Sequence, residues 1–225
     1  MNLSIDIIIV PQGAEYRAVC WGLQRASYKN ARVARQKPQV IPISIGVNNS
    51  LEAMEGKKVL MMGLCGSLSP QHSVGDGVLY RSCYSLDRAF LATNSSLTNS
   101  IAARLQDKAS LVSGLTGDRV ICRATEKQSL NDNYSPTVVD LESFGYVEKF
   151  QQLGIAVSIL RVVSDDCFSD IPNLDGAIDN EGNLKPLNLA IAFLKQPIPA
   201  FNLIVGSLTG LKKLEQLSHD LLIDN

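Results

Sequence analysis

The 225-residue sequence is poor in the side chains that most often bind metals, with two histidines and five cysteines. A site built from several histidines is therefore excluded. Neither His72, in a polar turn, nor His219, near the chain end, lies where a catalytic histidine is expected. The cysteine count is odd and no Cys-x-x-Cys spacing occurs, which argues against a disulfide framework and a structural zinc site. No metal and no cofactor is expected.

The sequence also lacks long apolar runs and an excess of charge of one sign. No stretch approaches the roughly 20 apolar residues that span a bilayer. The opening apolar run, residues 5–10, is short and lacks the basic start of a signal peptide. The formal net charge of -1 gives no basic field that would attract nucleic acid. These features lead us to expect a globular protein of the cytoplasm.

Short apolar segments rich in β-branched residues predict the strands of a buried sheet. They occupy residues 5–10, 40–45, 59–62, 137–141 and 155–163, with weaker candidates at 77–80 and 109–112. Helical periodicity marks residues 15–28, 143–153, 187–194 and 199–222. The segments between 137 and 163 predict a β–α–β unit with two parallel strands. We therefore predict one α/β domain over residues 1–225, with a helical extension from about 187.

Three carboxylates stand where predicted strands end, which is where open α/β sheets place their binding sites. Glu15 follows the first strand, Glu142 follows the strand at 137–141, and Asp165 follows the strand at 155–163. A carboxylate at a helix N-terminus also stabilises that helix, so each one alone has a structural explanation. Their coincidence at three strand ends favours a shared site.

A glycine-rich segment, Gly63-Leu64-Cys65-Gly66-Ser67, follows the strand at 59–62. Glycines allow the backbone to approach a ligand closely, and successive backbone amides can bind an anion. A tight turn without a ligand is the alternative. The segment matches neither the phosphate-binding loop that ends in Gly-Lys-Ser/Thr nor the GxGxxG dinucleotide fingerprint.

Two segments resemble the paired signature of the superfamily of purine nucleoside phosphorylases and methylthioadenosine/S-adenosylhomocysteine nucleosidases. They are Val138-Val139-Asp140-Leu141-Glu142-Ser143 and Leu160-Arg161-Val162-Val163-Ser164-Asp165. The glycine-rich segment and Val74-Gly75-Asp76-Gly77-Val78 resemble further family segments, so the likeness extends over most of the chain. The resemblance implies a three-layer phosphorylase/hydrolase-like α/β fold with a mixed, twisted central sheet. It also implies an enzyme that cleaves the N-glycosidic bond of a purine nucleoside.

Within the superfamily, two segments are most similar to the phosphorylases associated with hopanoid biosynthesis, which act on adenosylhopane. They are Val139-Asp140-Leu141-Glu142-Ser143 and Gly182-Asn183-Leu184-Lys185-Pro186, the latter followed by the two C-terminal helices. This finer similarity implies an adenine nucleoside with a large lipid on its ribose.

The resemblance also implies roles for individual residues. Asp165 would be the general acid that protonates the departing purine, and Glu142 would accept hydrogen bonds from the ribose hydroxyls. Glu15 would activate the attacking water, as the matching glutamate does in the family's hydrolases. The other predicted substrate-binding residues are Leu141, Phe144, Gly63, Leu64, Cys65, Gly66, Ser164 and Arg17. For Leu141 and Phe144, packing at the start of a helix is the alternative.

Departures from the family pattern bear on the nucleophile. Leu64 stands where the family often carries a hydroxyl residue near the nucleophile, and apolar residues at 60–62 replace an arginine of many phosphorylases. Arg17 is the candidate substitute for these phosphate ligands. Hydrolysis is therefore favoured, with phosphorolysis as the alternative. A non-catalytic nucleoside-binding protein is the alternative of a different class.

The resemblance and the C-terminal segment each predict a kind of partner besides the nucleoside. The family implies a homo-oligomer, for which we expect a dimer. The tail carries a series of apolar residues in and just before its last predicted helix: Ile198, Phe201, Leu203, Ile204, Val205 and Leu208. They could line the approach of a lipid-linked nucleoside or contact a membrane surface. Packing of this helix on the domain or on a partner subunit is the alternative.

Overall fold

The computed structural model describes residues 4–29, 37–43, 51–174, 176 and 185–223. The strands β1 to β8 are Ile7–Pro11, Gln39–Ile43, Lys58–Ser67, Gly77–Ser85, Phe90–Ala92, Ala109–Thr116, Val138–Asp140 and Ala156–Asp165. The α-helices α1 to α6 are Ala14–Lys29, Ser95–Leu105, Ala124–Tyr134, Ser143–Gln152, Pro186–Lys195 and Pro197–Leu222. The strand β5 and the helices α2 and α3 were not predicted from the sequence.

Five of these strands close into a ring. β3 pairs in parallel with β8, and β8 pairs antiparallel with β4. β4 and β6 are parallel, as are β6 and β7, and β7 returns antiparallel to β3. β1 and β2 extend the sheet from β3 in parallel, and β5 extends it from β4 in the antiparallel sense. The sheet is therefore mixed, as predicted.

The prediction that the strands at 137–141 and 155–163 are parallel is wrong. β8 runs parallel to β3 from Lys58 to Gly66, whereas β7 pairs antiparallel with β3 at Gly66 and Ser67. The register between β3 and β8 shifts after Cys65, where Ser164 is an extra residue on β8, and such a bulge bends the strand that carries it. A strand–helix–strand pattern in the sequence predicts the elements themselves, but it does not predict which strands pair in the sheet. Here both strands pair with β3 instead of with each other.

Both faces of the sheet are buried, which makes three layers. Alternate residues of β1 and β3 point to opposite faces: Ile9 and Met61 belong to one apolar cluster, and Ile8 and Leu60 to the other. Helix α4 covers the first face through Tyr146, Val147 and Phe150. Helices α1, α2 and α6 cover the second, with Leu23, Ile101 and Leu217 in its core.

Helix α6 packs closely on α1 and on β8. A Cβ atom at Gly22 would lie 2.1 Å from the carbonyl oxygen of Glu215, and one at Gly206 would lie 2.0 Å from that of Ser164. Only glycine allows backbones to approach this closely. The contact at Gly206 brings the first half of α6 next to the end of β8. The site carboxylate Asp165 follows Ser164 directly.

The helices α5 and α6 are the most apolar of the chain. Among the residues described, no single helix is both long and apolar enough to cross a membrane. Leu187–Lys195 and Pro197–Leu222 meet that criterion only as a pair, and the pair is bent by 119°.

Candidate active site

A cavity of about 220 Å³ opens where β1, β3, β7 and β8 end. Such a position, at the carboxyl ends of strands, is the usual place of a ligand in an α/β sheet. Eight of the eleven predicted site residues line it: Glu15, Leu64, Cys65, Gly66, Leu141, Glu142, Ser164 and Asp165. The structure therefore brings the three predicted carboxylates into one cavity.

Glu15 lies in the first turn of α1 and reaches across to β3. Its Oε1 accepts the backbone N–H of Leu64 at 2.7 Å. Burial disfavours the charged form and raises the pKa of Glu15 from 4.5 to about 7. The Leu64 hydrogen bond and the positive charge of Arg161 oppose this rise, and the negative charge of Glu142 adds to it. A carboxyl group with a pKa near neutrality suits proton transfer at physiological pH.

Glu142 directly precedes α4, but it does not cap that helix. No side-chain capping bond is made by Glu142. The cap is supplied instead by Asp140, whose Oδ1 accepts the N–H groups of Glu142 at 3.2 Å and Ser143 at 3.0 Å. Because Asp140 stabilises the helix start, the structural explanation of Glu142 as a helix cap does not hold. The buried Glu142 side chain lines the cavity.

Arg161 holds Glu142 in place from the middle of the apolar strand β8. Its side chain is 1% exposed. Nη2 donates to Glu142 Oε1 at 3.0 Å, and Nε lies 3.5 Å from Asp140 Oδ2. Burial alone would lower the pKa of Arg161, but Asp140 and Glu142, the nearest carboxylates, together raise it. The guanidinium therefore remains charged and fixes one oxygen of Glu142.

Asp165 ends β8 with both carboxyl oxygens in contact with polar side chains. The Ser164 hydroxyl donates to Oδ1 at 2.9 Å, and the Lys127 ammonium donates to Oδ2 at 2.5 Å. The carboxyl group also packs on the backbone of Gly66, where an added Cβ would lie 2.8 Å from Oδ2. The carboxyl group of Asp165 is thus held in a defined orientation at the cavity wall.

The glycine-rich segment is neither a turn nor a loop that offers successive amides to an anion. Gly63 to Ser67 continues β3, and its pairing with β8 extends to Gly66. The N–H of Leu64 is bonded to Glu15, while its side chain meets α6 at Gly210. Burial raises the pKa of the Cys65 thiol well above its usual value, so Cys65 remains a neutral thiol in the cavity wall. The segment therefore forms part of the cavity wall and does not form an anion-binding site.

Three predicted site residues lie outside the cavity lining. Phe144 packs against the hydrophobic core, and its N–H donates to Thr116 Oγ1 at 2.9 Å. This is the helix-start packing that the sequence left open. Arg17 is exposed on α1, because it lies two residues beyond Glu15 on another face of the helix. Gly63 contacts the buried side chains of Arg161 and Glu15 rather than the cavity.

The other lining residues were not predicted as site residues. They are Pro11, Arg119, Val120, Ile121, Val139, Asp140 and Arg161. Arg161 has a sequence signal, since it is a lone charge inside an otherwise apolar segment at 155–163. Arg119 to Ile121 follow β6, which the sequence predicts only weakly. Lys127 lies in α3, whose low apolar content gives little helical periodicity.

Replacement of Gly63 by alanine is expected to disturb this arrangement. An added Cβ would lie 2.3 Å from Arg161 Nη1 and 2.9 Å from Glu15 Oε1, and Arg161 is fully buried. We expect a loss of about 1–3 kcal/mol in the free energy of unfolding, measured with urea, because overpacking forces side chains to shift. Gly117→Ala is the milder control, since the nearest atom beyond its chain neighbours that its Cβ would meet is the carbonyl oxygen of Arg119, at 3.3 Å. Equal stability of both variants would show that Arg161 is free to move.

Comparison with solved structures identifies proteins of the same fold. The 5'-methylthioadenosine/S-adenosylhomocysteine nucleosidase of Helicobacter pylori superposes with a TM-score of 0.60 at 16% identity, covering 96% of this chain and 98% of that one. The 5'-methylthioadenosine nucleosidase of Arabidopsis thaliana gives 0.58 at 16% identity, covering 96% and 95%. The futalosine hydrolase of Helicobacter pylori gives 0.54 at 15% identity, covering 96% and 97%.

These likenesses show that the chain has the mixed α/β fold of these nucleosidases, over almost its whole length. No protein-family model and no curated protein sequence matches the chain. The predicted fold class is therefore confirmed.

Proposed function

We propose that this protein is a purine nucleosidase, an enzyme that hydrolyses the N-glycosidic bond of an adenine nucleoside. The observation that carries the proposal is the convergence of Glu15, Glu142 and Asp165 on one cavity at the strand ends. The fold, shared with solved nucleosidases, supports the same activity.

Each carboxyl group suits one part of the reaction. The purine leaves with the electron pair of the glycosidic bond, and Asp165 protonates it so that it does not leave as an anion. The ribosyl carbon becomes positively charged as the bond breaks. Glu142, with one oxygen held by Arg161, accepts hydrogen bonds from the ribose hydroxyls and stabilises this charge. Glu15 takes a proton from the attacking water, which its pKa of about 7 allows at neutral pH.

The charges of the cavity favour water over phosphate as the nucleophile. Four carboxylates line it: Glu15, Asp140, Glu142 and Asp165. The two guanidinium groups of the lining are committed, Arg161 to Glu142 at 3.0 Å and Arg119 to Glu126 at 2.6 Å. A phosphate dianion would therefore meet acidic side chains without a dedicated cationic partner among the described residues. Phosphorolysis of the same bond is the alternative.

The apolar surface of the C-terminal helices supports a nucleoside with an apolar 5′ substituent, such as adenosylhopane. The large exposed apolar side chains of this surface are Leu187, Ile191, Leu194, Ile198, Phe201, Ile204, Val205 and Leu208. Gly206, in contact with Ser164 of the cavity wall, lies among them on α6.

A panel of substrates tests the proposed reaction and its nucleophile. Adenosine, methylthioadenosine and a lipid-linked adenosine would each be incubated with the enzyme, with and without phosphate, and the sugar product identified by mass spectrometry. Free ribose or its 5′ derivative in both conditions supports hydrolysis. A ribose 1-phosphate that forms only with phosphate would replace hydrolysis by phosphorolysis. Preference for the lipid-linked substrate supports the apolar 5′ substituent, and preference for methylthioadenosine contradicts it.

The same apolar surface predicts binding to lipid vesicles. Phe201 and Leu208 are 66% and 63% exposed, so their burial in a lipid surface is favourable. We expect the wild type to sediment with phosphatidylcholine vesicles and Phe201→Ser/Leu208→Ser to lose most of that binding. Tyr28→Ser, on α1 and 82% exposed, is the control. The alternative outcome is that the wild type does not bind vesicles and elutes as a dimer, whereas the double variant elutes as a monomer. That result would assign the surface to contact with a second subunit.

A further inference from the structure

Lys127 carries a fully buried ammonium group, and none of the reaction steps proposed above involves it. Its side chain is 0% exposed, although lysine is among the residues least often buried. Nζ donates to Asp165 Oδ2 at 2.5 Å and to the carbonyl oxygen of Asp166 at 2.7 Å. A buried charge is costly unless it is paired, so its position next to the predicted general acid requires an explanation.

A role as a simple tether does not account for Lys127. Helix α3 is already fixed to the loop after β8 by three other contacts. Asp170 accepts the Ala124 N–H and the Arg123 guanidinium, each at 2.9 Å, and Gln128 donates to the Cys167 carbonyl oxygen at 3.0 Å. An apolar side chain in place of Lys127 would pack α3 without the cost of a buried charge. Compared with an apolar side chain, the Lys127 ammonium adds a positive charge next to one carboxyl oxygen of Asp165.

We propose that Lys127 is a positioning residue for the acid of the reaction; this inference rests on the proposed function. The proton moves from the Asp165 carboxyl group to a ring nitrogen of the purine, and the electron pair of the glycosidic bond leaves with the base. Asp165 is then a carboxylate. The Lys127 ammonium keeps its own protons and stabilises that negative charge, while the Ser164 hydroxyl holds the other oxygen.

The pH dependence of the reaction distinguishes this role from a structural one. An adjacent ammonium stabilises the negative charge that a carboxyl group carries after it gives up a proton, so loss of the Lys127 charge should change how the proton-transfer step depends on pH. The other titratable groups around the pair are Cys65 on β3, Glu15 on α1, Glu142 before α4, Arg161 on β8, and Asp166 and Asp170 after β8. The Lys127 charge acts on two neighbouring groups, since it helps to lower the pKa of Asp170 and opposes the rise that burial causes in the pKa of Cys167, but neither of these residues lines the cavity.

The test compares Lys127→Met, which removes the charge, with Lys127→Arg, which keeps it. For Lys127→Met acting on methylthioadenosine, we expect kcat to fall on the order of tenfold to hundredfold with little change in KM. We also expect the alkaline limb of its kcat profile to move to higher pH, and Lys127→Arg to recover much of the loss. Lys108→Met is the control, since it removes an ion pair with Asp220, 2.9 Å long, away from the cavity.

Two further measurements keep the inference testable if a variant folds poorly or the wild type proves inactive. In an Asp165→Asn background, Lys127→Met should add little further loss of kcat, because both residues act through one proton transfer. The pH dependence of adenine affinity, measured by calorimetry without turnover, should shift in Lys127→Met. An unchanged pH dependence in both kcat and adenine affinity would overturn the role of Lys127. If the pH dependence of adenine affinity differs between Lys127→Met and the wild type while the wild type shows no turnover, the proposed function alone is contradicted.

Discussion

Replacement of Glu15 by glutamine should inactivate the enzyme and stabilise its fold at alkaline pH. Glutamine can still accept the Leu64 N–H, so the hydrogen bond at 2.7 Å survives. It cannot take a proton from water, and loss of a general base typically costs about 10²–10⁴ in rate. The wild-type rate should rise as Glu15 ionises through its pKa of about 7, and the variant should lack this acid limb.

The stability change follows from the direction of the pKa shift. The pKa of Glu15 is about 7 in the fold and near its ordinary 4.5 in the unfolded chain. The folded state therefore holds the proton more tightly, and its stability falls as pH rises from 4.5 through 7. At about 1.4 kcal/mol per unit of pKa, the ionised carboxylate destabilises the fold by up to roughly 3 kcal/mol above pH 7. Glu15→Gln should gain that amount at pH 8 and little at pH 4.5.

Urea unfolding at both pH values measures this gain. Glu55→Gln is the matched control, because Glu55 is exposed and does not line the cavity. A stable but inactive Glu15→Gln would identify Glu15 as a group kept for chemistry at the expense of stability. If Glu15→Gln is less stable than the wild type at pH 8, Glu15 is a structural carboxylate and its role as the base is wrong.

Asp165→Asn should lower kcat by about 10²–10⁴ while nucleoside binding is retained. The amide oxygen can still accept from Lys127, and the amide N–H can still donate to a purine nitrogen. The variant cannot transfer a proton to the departing base. Adenine release at saturating methylthioadenosine and the dissociation constant of adenine, measured by calorimetry, would separate the chemical step from binding.

The neighbouring aspartate provides a matched control for this prediction. Asp166 has the same side chain but does not line the cavity, and its Oδ1 accepts the N–H groups of Phe168 and Ser169 at 3.0 and 2.8 Å. Asn at this position can accept the same two bonds, so Asp166→Asn should keep near wild-type activity. Equal losses in the two variants would show that the substitutions disturb the loop rather than the acid.

The three carboxylates could be predicted because the sequence shows where the buried strands end. Buried strands appear as short apolar runs, and the first polar residues beyond them meet at one edge of the sheet. Glu15, Glu142 and Asp165 each follow such a run, and the structure brings them into one cavity. Their roles remain predictions that the substitutions above test.

The residues that support the carboxylates were harder to predict, because their partners are distant in sequence. Asp140, rather than Glu142, caps α4. In the sequence both are acidic residues at the end of a predicted strand, so the pattern does not show which of them is the cap. Lys127 is separated from Asp165 by 38 residues and lies in a helix with little apolar periodicity. The pairing of β7 with both β3 and β6, which closes the ring, joins segments far apart in sequence, so no local pattern predicts it.

The most direct test of the central claim is the release of free adenine from methylthioadenosine and from a lipid-linked adenosine, in phosphate-free buffer at pH 7, followed by chromatography. The proposed function predicts catalytic release by the wild type, with equal amounts of adenine and free sugar. Tight binding of adenine by calorimetry without any release would contradict hydrolysis. The protein would then be a nucleoside-binding protein that has the fold of the nucleosidases.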